Sequence, residues 1–109
     1  MTTSALPEPV AGFIGHVNAH DETAFLDAFT PEGVVDDWGR VFTGREEIKT
    51  WSDKEFIGAG GILTVESVES DGSRVTVIGD WRSSHANGRA RFIFEIDGDK
   101  LESMTIRKV

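Results

Sequence analysis

Asp37 is the residue of this sequence whose setting best suits acid–base chemistry. It lies in the segment 34–38, Val-Val-Asp-Asp-Trp, which predicts a short strand. Because side chains alternate along a strand, an inward-facing Val35 places the carboxylate of Asp37 inward as well. Burial among aromatic rings disfavours the charged form of a carboxylate, which suits a general base. In the alternative interpretation, Asp37 only accepts a hydrogen bond from a backbone N–H of the loop at Trp38.

His85 is the second candidate for catalysis, because it lies in or beside a predicted hairpin turn. An imidazole at the rim of a pocket can accept or donate a proton near neutral pH. The alternative interpretation is an exposed turn histidine with no chemical role. His16 and His20 are predicted to be solvated. The chain has no cysteine and its three histidines have no fixed spacing, so no metal site is predicted.

Tyrosine is absent from the chain, whereas three tryptophans and seven phenylalanines are present. No mechanism of this protein can therefore use a tyrosine hydroxyl. Aromatic side chains build cores, and in a pocket they also bind flat, apolar ligands by stacking, so both roles stay open. The predicted pocket lining consists of Phe13, Val17, Val35, Trp38, Trp51, Trp81, Phe92, Phe94 and Met104.

Three helices are predicted in the first half of the chain. Apolar residues recur at helical spacing from Val10 to Val17, which predicts an amphipathic helix. Asp21 is a suitable N-cap for a second, short helix that ends before a predicted turn at 30–33. Thr43 and Glu46 have the spacing of a capping box, which predicts the start of a third helix.

Beyond residue 61 the apolar residues recur with a period of two, which predicts strands. Turn residues divide this half into four strands at roughly 62–70, 74–84, 89–97 and 100–108. Helices followed by an antiparallel meander predict an α+β domain, with three N-terminal helices packed on a strongly curved, mainly antiparallel sheet. Such a sheet forms a cone around an apolar pocket. The length predicts one domain, 1–109.

The dipeptide Asn87-Gly88 predicts a register for the central hairpin. If these two residues form the loop of a type I′ turn, Trp81 faces Phe94 and Ser83 faces Phe92. Ser83 and His85 then lie on the inner face, near the turn. The inner face is predicted to carry Val75, Val77, Trp81, Phe92, Phe94 and Ile96. The outer face is predicted to carry Thr76, Asp80, Arg82, Arg91 and Glu95.

Three segments together resemble one superfamily: V-N-A-H-D at 17–21, V-V-D-D at 34–37 and F-T-G-R-E-E-I at 42–48. They are similar to the nuclear transport factor 2-like domains, in the branch of SnoaL-like polyketide cyclases and ketosteroid isomerases. The resemblance covers the whole chain in element order. It implies the cystatin-like fold, an α+β barrel around one pocket open at one end. This fold hosts enzymes, binding modules and assembly domains alike.

The resemblance to the steroid isomerases carries over only in part. Those enzymes use an aspartate base with an oxyanion hole built from a tyrosine and a protonated aspartic acid. The resemblance places Asp37 at the position of the base. It places Phe13 at the position of the tyrosine and Phe92 at that of the protonated acid. With both donors replaced by phenylalanine, isomerisation by the family mechanism is not expected.

Composition limits the possible partners of this protein. Nineteen acidic and eleven basic residues give a formal charge of −8, which repels phosphate backbones, so nucleic acid is not expected as a partner. No apolar run is long enough to span a membrane, and no glycine-rich loop after a strand predicts a cofactor. Residues 1–7 lack the features of a secretory signal, so a cytoplasmic protein is expected.

Three functions stay open for the sequence. The first is an isomerase, cyclase or hydrolase that uses Asp37 as general base on an apolar substrate. The second is a non-catalytic pocket for a small lipophilic ligand. The third is an association module that works through the outer sheet face. The resemblance implies a homodimer formed through that face, where Ile78 and Ile93 lie among charged residues.

Overall fold

Three α-helices and six strands build residues 6–109, the part of the chain that the computed structural model describes. Residues 1–5, most of the segment predicted to lack a secretory signal, lie outside this range. The helices are α1 (Val10–Asn18), α2 (Glu22–Asp27) and α3 (Gly44–Glu55). The strands are β1 (Phe29–Asp37), β2 (Arg40–Thr43), β3 (Ile62–Asp71), β4 (Arg74–Arg82), β5 (Asn87–Asp97) and β6 (Lys100–Lys108). No helix within this range is long and apolar enough to cross a membrane.

The helices begin for the local reasons that the sequence suggests, with one difference. The side chain of Asp21 accepts a hydrogen bond of 3.1 Å from the backbone N–H of Ala24, which confirms it as the N-cap of α2. The predicted capping box of α3 does not form, since Thr43 makes no side-chain cap. Instead, Glu47 reaches back and accepts a 3.0 Å bond from the backbone N–H of Thr43, which leaves Glu46 no role there.

A single six-stranded sheet, in the order β2-β1-β6-β5-β4-β3, connects the two halves of the chain. Strands β1 and β6 run parallel, and the other neighbours run antiparallel. The predicted turn at 30–33 is wrong, because these residues belong to β1. Phe29 is fully buried opposite Leu101, and the register against β6 shifts between Phe29 and Val34. A bulge thus absorbs the residues that break the strand pattern.

The register predicted for the central hairpin is also wrong. Trp81 lies opposite Gly88 and not Phe94, while Phe94 lies opposite Val75. The loop is residues 83–86, because Ser83 Oγ accepts bonds from the N–H groups of His85 and Ala86, at 3.1 and 2.9 Å. These bonds make a longer turn more favourable than the Asn87-Gly88 turn.

The predicted faces survive this change of register. The partner of Trp81 moves by an even number of positions, from 94 to 88, so the side chains that stay within the strands keep their faces. Ser83 and His85, predicted on the inner face, lie in the loop instead, because β4 ends at Arg82. Trp81 and Phe92 are buried, whereas Arg82 and Arg91 are exposed, as predicted. Helix α3 packs against β1 and α1 against β3, so the helices cover the apolar face of the sheet.

Candidate functional site

A cavity of about 210 Å³ opens where the end of β1, the end of α3 and the β4–β5 loop meet. Its inner wall is aromatic and its mouth carries charged side chains. Within residues 6–109, no three acidic or histidine side chains are grouped as metal ligands would be. An aromatic wall with polar groups at one end is a lining typical of small-molecule pockets in proteins.

The aromatic wall is a column of stacked rings. The Trp51 ring stacks on Phe56 with centroids 4.7 Å apart, and Phe56 stacks on Trp81 at 4.4 Å with an interplanar angle of 11°. All three side chains are at least nine-tenths buried. Phe92 borders the same cavity from β5. The sequence analysis misses Phe56, which follows α3 directly and shows no strand or helix periodicity.

Asp37 lies at the polar end of this wall and is 9 % exposed. Its Oδ2 accepts a hydrogen bond of 3.0 Å from Trp51 Nε1 and one of 2.5 Å from Arg40 Nη2. Both donors therefore end on the same oxygen of the carboxylate. The loop-capping role considered as an alternative belongs to the preceding residue, since Gly39 donates its N–H to Asp36 Oδ1 at 2.8 Å.

Arg40 bridges two carboxylates at the cavity mouth. Its Nη1 and Nη2 donate to Glu55 at 3.0 and 2.5 Å, in addition to the bond to Asp37. The hydrogen bonds to Glu55 raise the pKa of Arg40 further, with a smaller contribution from Asp37 and against the effect of burial. The same pairing lowers the pKa of Glu55. The guanidinium thus pairs with two carboxylates at once.

His85 joins this network from the β4–β5 loop. Its Nε2 lies 3.2 Å from Glu55 Oε1, and its side chain is half exposed at the mouth of the cavity. The structure therefore brings both predicted catalytic residues, Asp37 and His85, to one cavity. They are connected through Arg40 and Glu55, which the sequence analysis misses. The only local signal is the Asp-Trp-Gly-Arg segment, in which a two-residue turn pairs Asp37 with Arg40.

Trp38 occupies an unusual backbone position at the mouth of the cavity. Its φ is 56° and that of Gly39 is 92°, the geometry of a type I′ turn between β1 and β2. Such positions favour Asn, Asp or Gly, and a tryptophan there is uncommon. The Trp38 side chain is 57 % exposed, in contrast to the buried Trp51 and Trp81. Trp38 lines the cavity as predicted but is not held by the core.

Five predicted lining residues do not border this cavity: Phe13, Val17, Val35, Phe94 and Met104. All five are at most 2 % exposed within the core. Phe13 explains why, since its ring packs at 5.4–5.5 Å against Phe25, Phe29 and Phe94. Closely packed rings fill the closed end of the fold, so the cavity is shorter than the sequence predicts.

Comparison of the sequence with protein-family models and with curated proteins gives no match. Solved structures, in contrast, are similar over nearly the whole chain. A proposed polyketide cyclase from Sinorhizobium meliloti matches with a TM-score of 0.83 and 20 % identity, over 94 % of this chain and 95 % of its own. An NTF2-like protein of unknown function from Cytophaga hutchinsonii matches with a TM-score of 0.78 and 15 % identity, over 89 % and 83 %.

A third similar structure contains a ligand. A Mycobacterium tuberculosis protein, in complex with estradiol-17β-hemisuccinate, matches with a TM-score of 0.78 and 16 % identity, over 88 % of this chain and 87 % of its own. These likenesses show that the chain has the nuclear transport factor 2-like fold, an α+β fold with a mainly antiparallel sheet. At such low sequence identity, a similar structure indicates a shared fold but not a shared activity.

Proposed function

We propose that this protein binds a small, flat, apolar molecule in the cavity between Trp51, Trp81 and Phe92. The observation that carries the proposal is the column of three stacked rings along one wall. A flat ring system inserted beside that wall exchanges water contacts for contacts with the edges of the stacked rings, the edge-to-face arrangement that aromatic pairs favour. The volume of about 210 Å³ favours a ligand of two or three fused rings over a larger one. The Mycobacterium tuberculosis protein of similar fold holds a steroid ester, which supports an apolar fused-ring ligand; its four rings exceed the size that this cavity favours.

Binding without turnover is the form of this function that the cavity supports best. Phe92 offers no hydrogen-bond donor, and Phe13 lies in the closed core away from the cavity. The indole N–H of Trp51 already donates to Asp37, so it is not free for a developing oxyanion. An enolising isomerase needs such donors at its reacting carbonyl.

Filling the cavity tests the binding proposal. Ala90 is buried at the cavity wall, so Ala90→Phe should occupy the ligand volume and weaken binding of a flat bicyclic probe by at least about tenfold. The matched control is Val41→Phe, because Val41 is 56 % exposed and lies outside the cavity. Isothermal calorimetry with 2-naphthol measures both. Equal affinity in the two variants would place binding elsewhere and contradict the proposal.

Catalysis by Asp37 is the second candidate function. It is supported by a buried carboxylate that shares the cavity with the imidazole of His85. An isomerase, cyclase or hydrolase would use Asp37 as general base on an apolar substrate. Asp37→Asn should then reduce turnover of an identified substrate by roughly 10²–10⁴-fold. If Asp37→Asn turns the substrate over at the wild-type rate, Asp37 is not the base.

The same proposal includes a homodimer formed through the outer face of the sheet. Ile78 and Ile93 are half-buried there, opposite Arg91 and Thr76, in a depression that spans β3, β4 and β5. A two-fold axis through this face would pair the apolar side chains of two copies. Sedimentation should give about twice the chain mass of 11.9 kDa, and Ile93→Glu should shift it towards the monomer. A wild-type monomer at micromolar concentration would contradict the dimer.

A further inference from the structure

One oxygen of the buried Asp37 carboxylate is left for a ligand. The hydrogen bonds from Trp51 and Arg40 both end on Oδ2, and Oδ1 has no hydrogen-bond partner among residues 6–109. Within the same range, no side-chain oxygen or nitrogen is both fully buried and unpartnered, so Oδ1 keeps an open side. Because Asp37 is 91 % buried and lines the cavity, that open side faces the cavity.

We propose that Asp37 Oδ1 selects ligands that carry a hydroxyl or N–H donor at the leading edge of a flat apolar ring system. This inference rests on the proposed binding function and adds the polar group that the cavity recognises. A neutral donor can bond to the ionised carboxylate, and hydrogen bonds to charged groups are the stronger kind. A ligand of the same shape without a donor would cover Oδ1 and leave it without a partner.

The charges at this end of the cavity work against anionic ligands. Asp37 and Glu55 share the one guanidinium of Arg40, which leaves an excess of one negative charge when His85 is neutral. Arg89 also borders the cavity, but it is paired with Glu66 at 2.8 Å. A ligand carboxylate would therefore approach Oδ1 as a like charge. The cavity should prefer a phenol, an enol or a ring N–H over a carboxylate or an ether.

Three probes of matched shape test this preference: 2-naphthol, 2-methoxynaphthalene and 2-naphthoate. At about pH 7 the naphthol is a neutral donor, the ether has no donor and the naphthoate is an anion. Calorimetry should show that wild-type protein binds 2-naphthol roughly tenfold to a hundredfold more tightly than the ether, the factor expected for a hydrogen bond to a charged acceptor. Naphthoate should bind most weakly.

The variant Asp37→Asn should abolish the preference for a ligand donor. Trp51 and Arg40 both donate to the position of Oδ2, so the amide oxygen of the asparagine has to stay there. Its NH₂ group then faces the cavity as a donor. The preference for 2-naphthol over the ether should disappear, and naphthoate should bind more tightly than it does to wild type. Asp36→Asn is the control, because Asp36 pairs with Arg107 outside the cavity and an asparagine can still accept from Gly39.

The possible results separate this inference from the function on which it rests. Equal wild-type affinities for naphthol and ether, or tighter binding of naphthoate, would overturn the selection by Asp37 and leave the binding function intact. Binding of none of the three probes would contradict the binding function itself. If Asp37→Asn does not fold, as judged by circular dichroism, the ratio of affinities measured on wild type decides the question.

Discussion

Gly61→Ala provides a sharp test of how the aromatic wall is held in place. A Cβ built on Gly61 would lie 2.0 Å from Cη2 and 2.1 Å from Cζ2 of Trp81. The backbone at Gly61 is fixed on both sides: its N–H donates to the carbonyl of Phe56 at 3.2 Å, and the carbonyl of Gly61 lies 2.9 Å from His20 Nε2. The indole ring of Trp81 therefore has to move, away from its stacking position on Phe56.

The expected magnitude follows from overpacking in a core. Forcing a methyl group into such a site costs about 1–3 kcal/mol of the free energy of unfolding. For a domain of this size, about 1 kcal/mol corresponds to roughly 4–8 °C in melting temperature, so a decrease of about 4–24 °C is expected. Affinity for 2-naphthol should also fall, because the stacked column of Trp51, Phe56 and Trp81 is broken.

Thermal unfolding and near-ultraviolet circular dichroism measure the two effects, with Gly15→Ala as the control. Gly15 lies in α1, and a Cβ there would meet no atom within 4 Å. Alanine at that position should stabilise the protein by about 0.5–1 kcal/mol, since glycine is unfavourable inside a helix. A Gly61→Ala variant that melts like wild type and keeps its aromatic dichroism would refute the described contact between Gly61 and Trp81.

Three further predictions concern single contacts. Trp38→Asn places Asn-Gly in the type I′ turn, so it should raise the free energy of unfolding in urea by about 1 kcal/mol. The same change removes a ring from the cavity mouth and should weaken ligand binding. A loss of stability would contradict the strain assigned to Trp38. Arg40→Met removes the cause of the lowered pKa of Glu55. The wild-type pair stabilises the fold above the ordinary pKa of about 4.5 and loses that effect as the pH falls, so the variant should show a flatter loss of stability in acid. Parallel pH profiles of the two proteins would contradict this pairing. Asn18→Leu leaves the N–H and carbonyl of Leu63 without the bonds of 2.8 and 2.9 Å that Asn18 makes to them, and should cost about 1–3 kcal/mol in urea unfolding. An unchanged unfolding midpoint would show that water replaces those bonds.

Periodicity was enough to predict the α+β architecture and the faces of the central hairpin. Each buried position is occupied by an apolar residue, so the helical spacing from Val10 to Val17 and the alternation around Trp81 and Phe92 are visible in the sequence. The apolar pattern does not determine the register of the hairpin, because registers that differ by an even number of residues keep the strand side chains on the same faces. Only the side-chain bonds of Ser83 decide the loop, and these compete with an equally plausible Asn-Gly turn.

The candidate site was predictable in part for a similar reason. Asp37 follows from strand alternation, but its partners depend on contacts between distant segments. Arg40 and Glu55 are 15 positions apart and meet only because the β1–β2 turn comes close to the end of α3. The extent of the cavity also depends on packing. Phe13 and Phe94 were predicted to line the cavity, but their rings pack against each other, and the sequence does not show which rings make such contacts.

Whether a flat ligand enters the aromatic cavity is tested most directly by the three indole N–H resonances of the chain. In ¹⁵N–¹H spectra of wild-type protein titrated with 2-naphthol, the indole signals of Trp51 and Trp81 should shift and saturate together. In Ala90→Phe they should not move. Signals of Trp51 and Trp81 that stay in place at millimolar 2-naphthol, whether or not the exposed Trp38 responds, would contradict binding in this cavity.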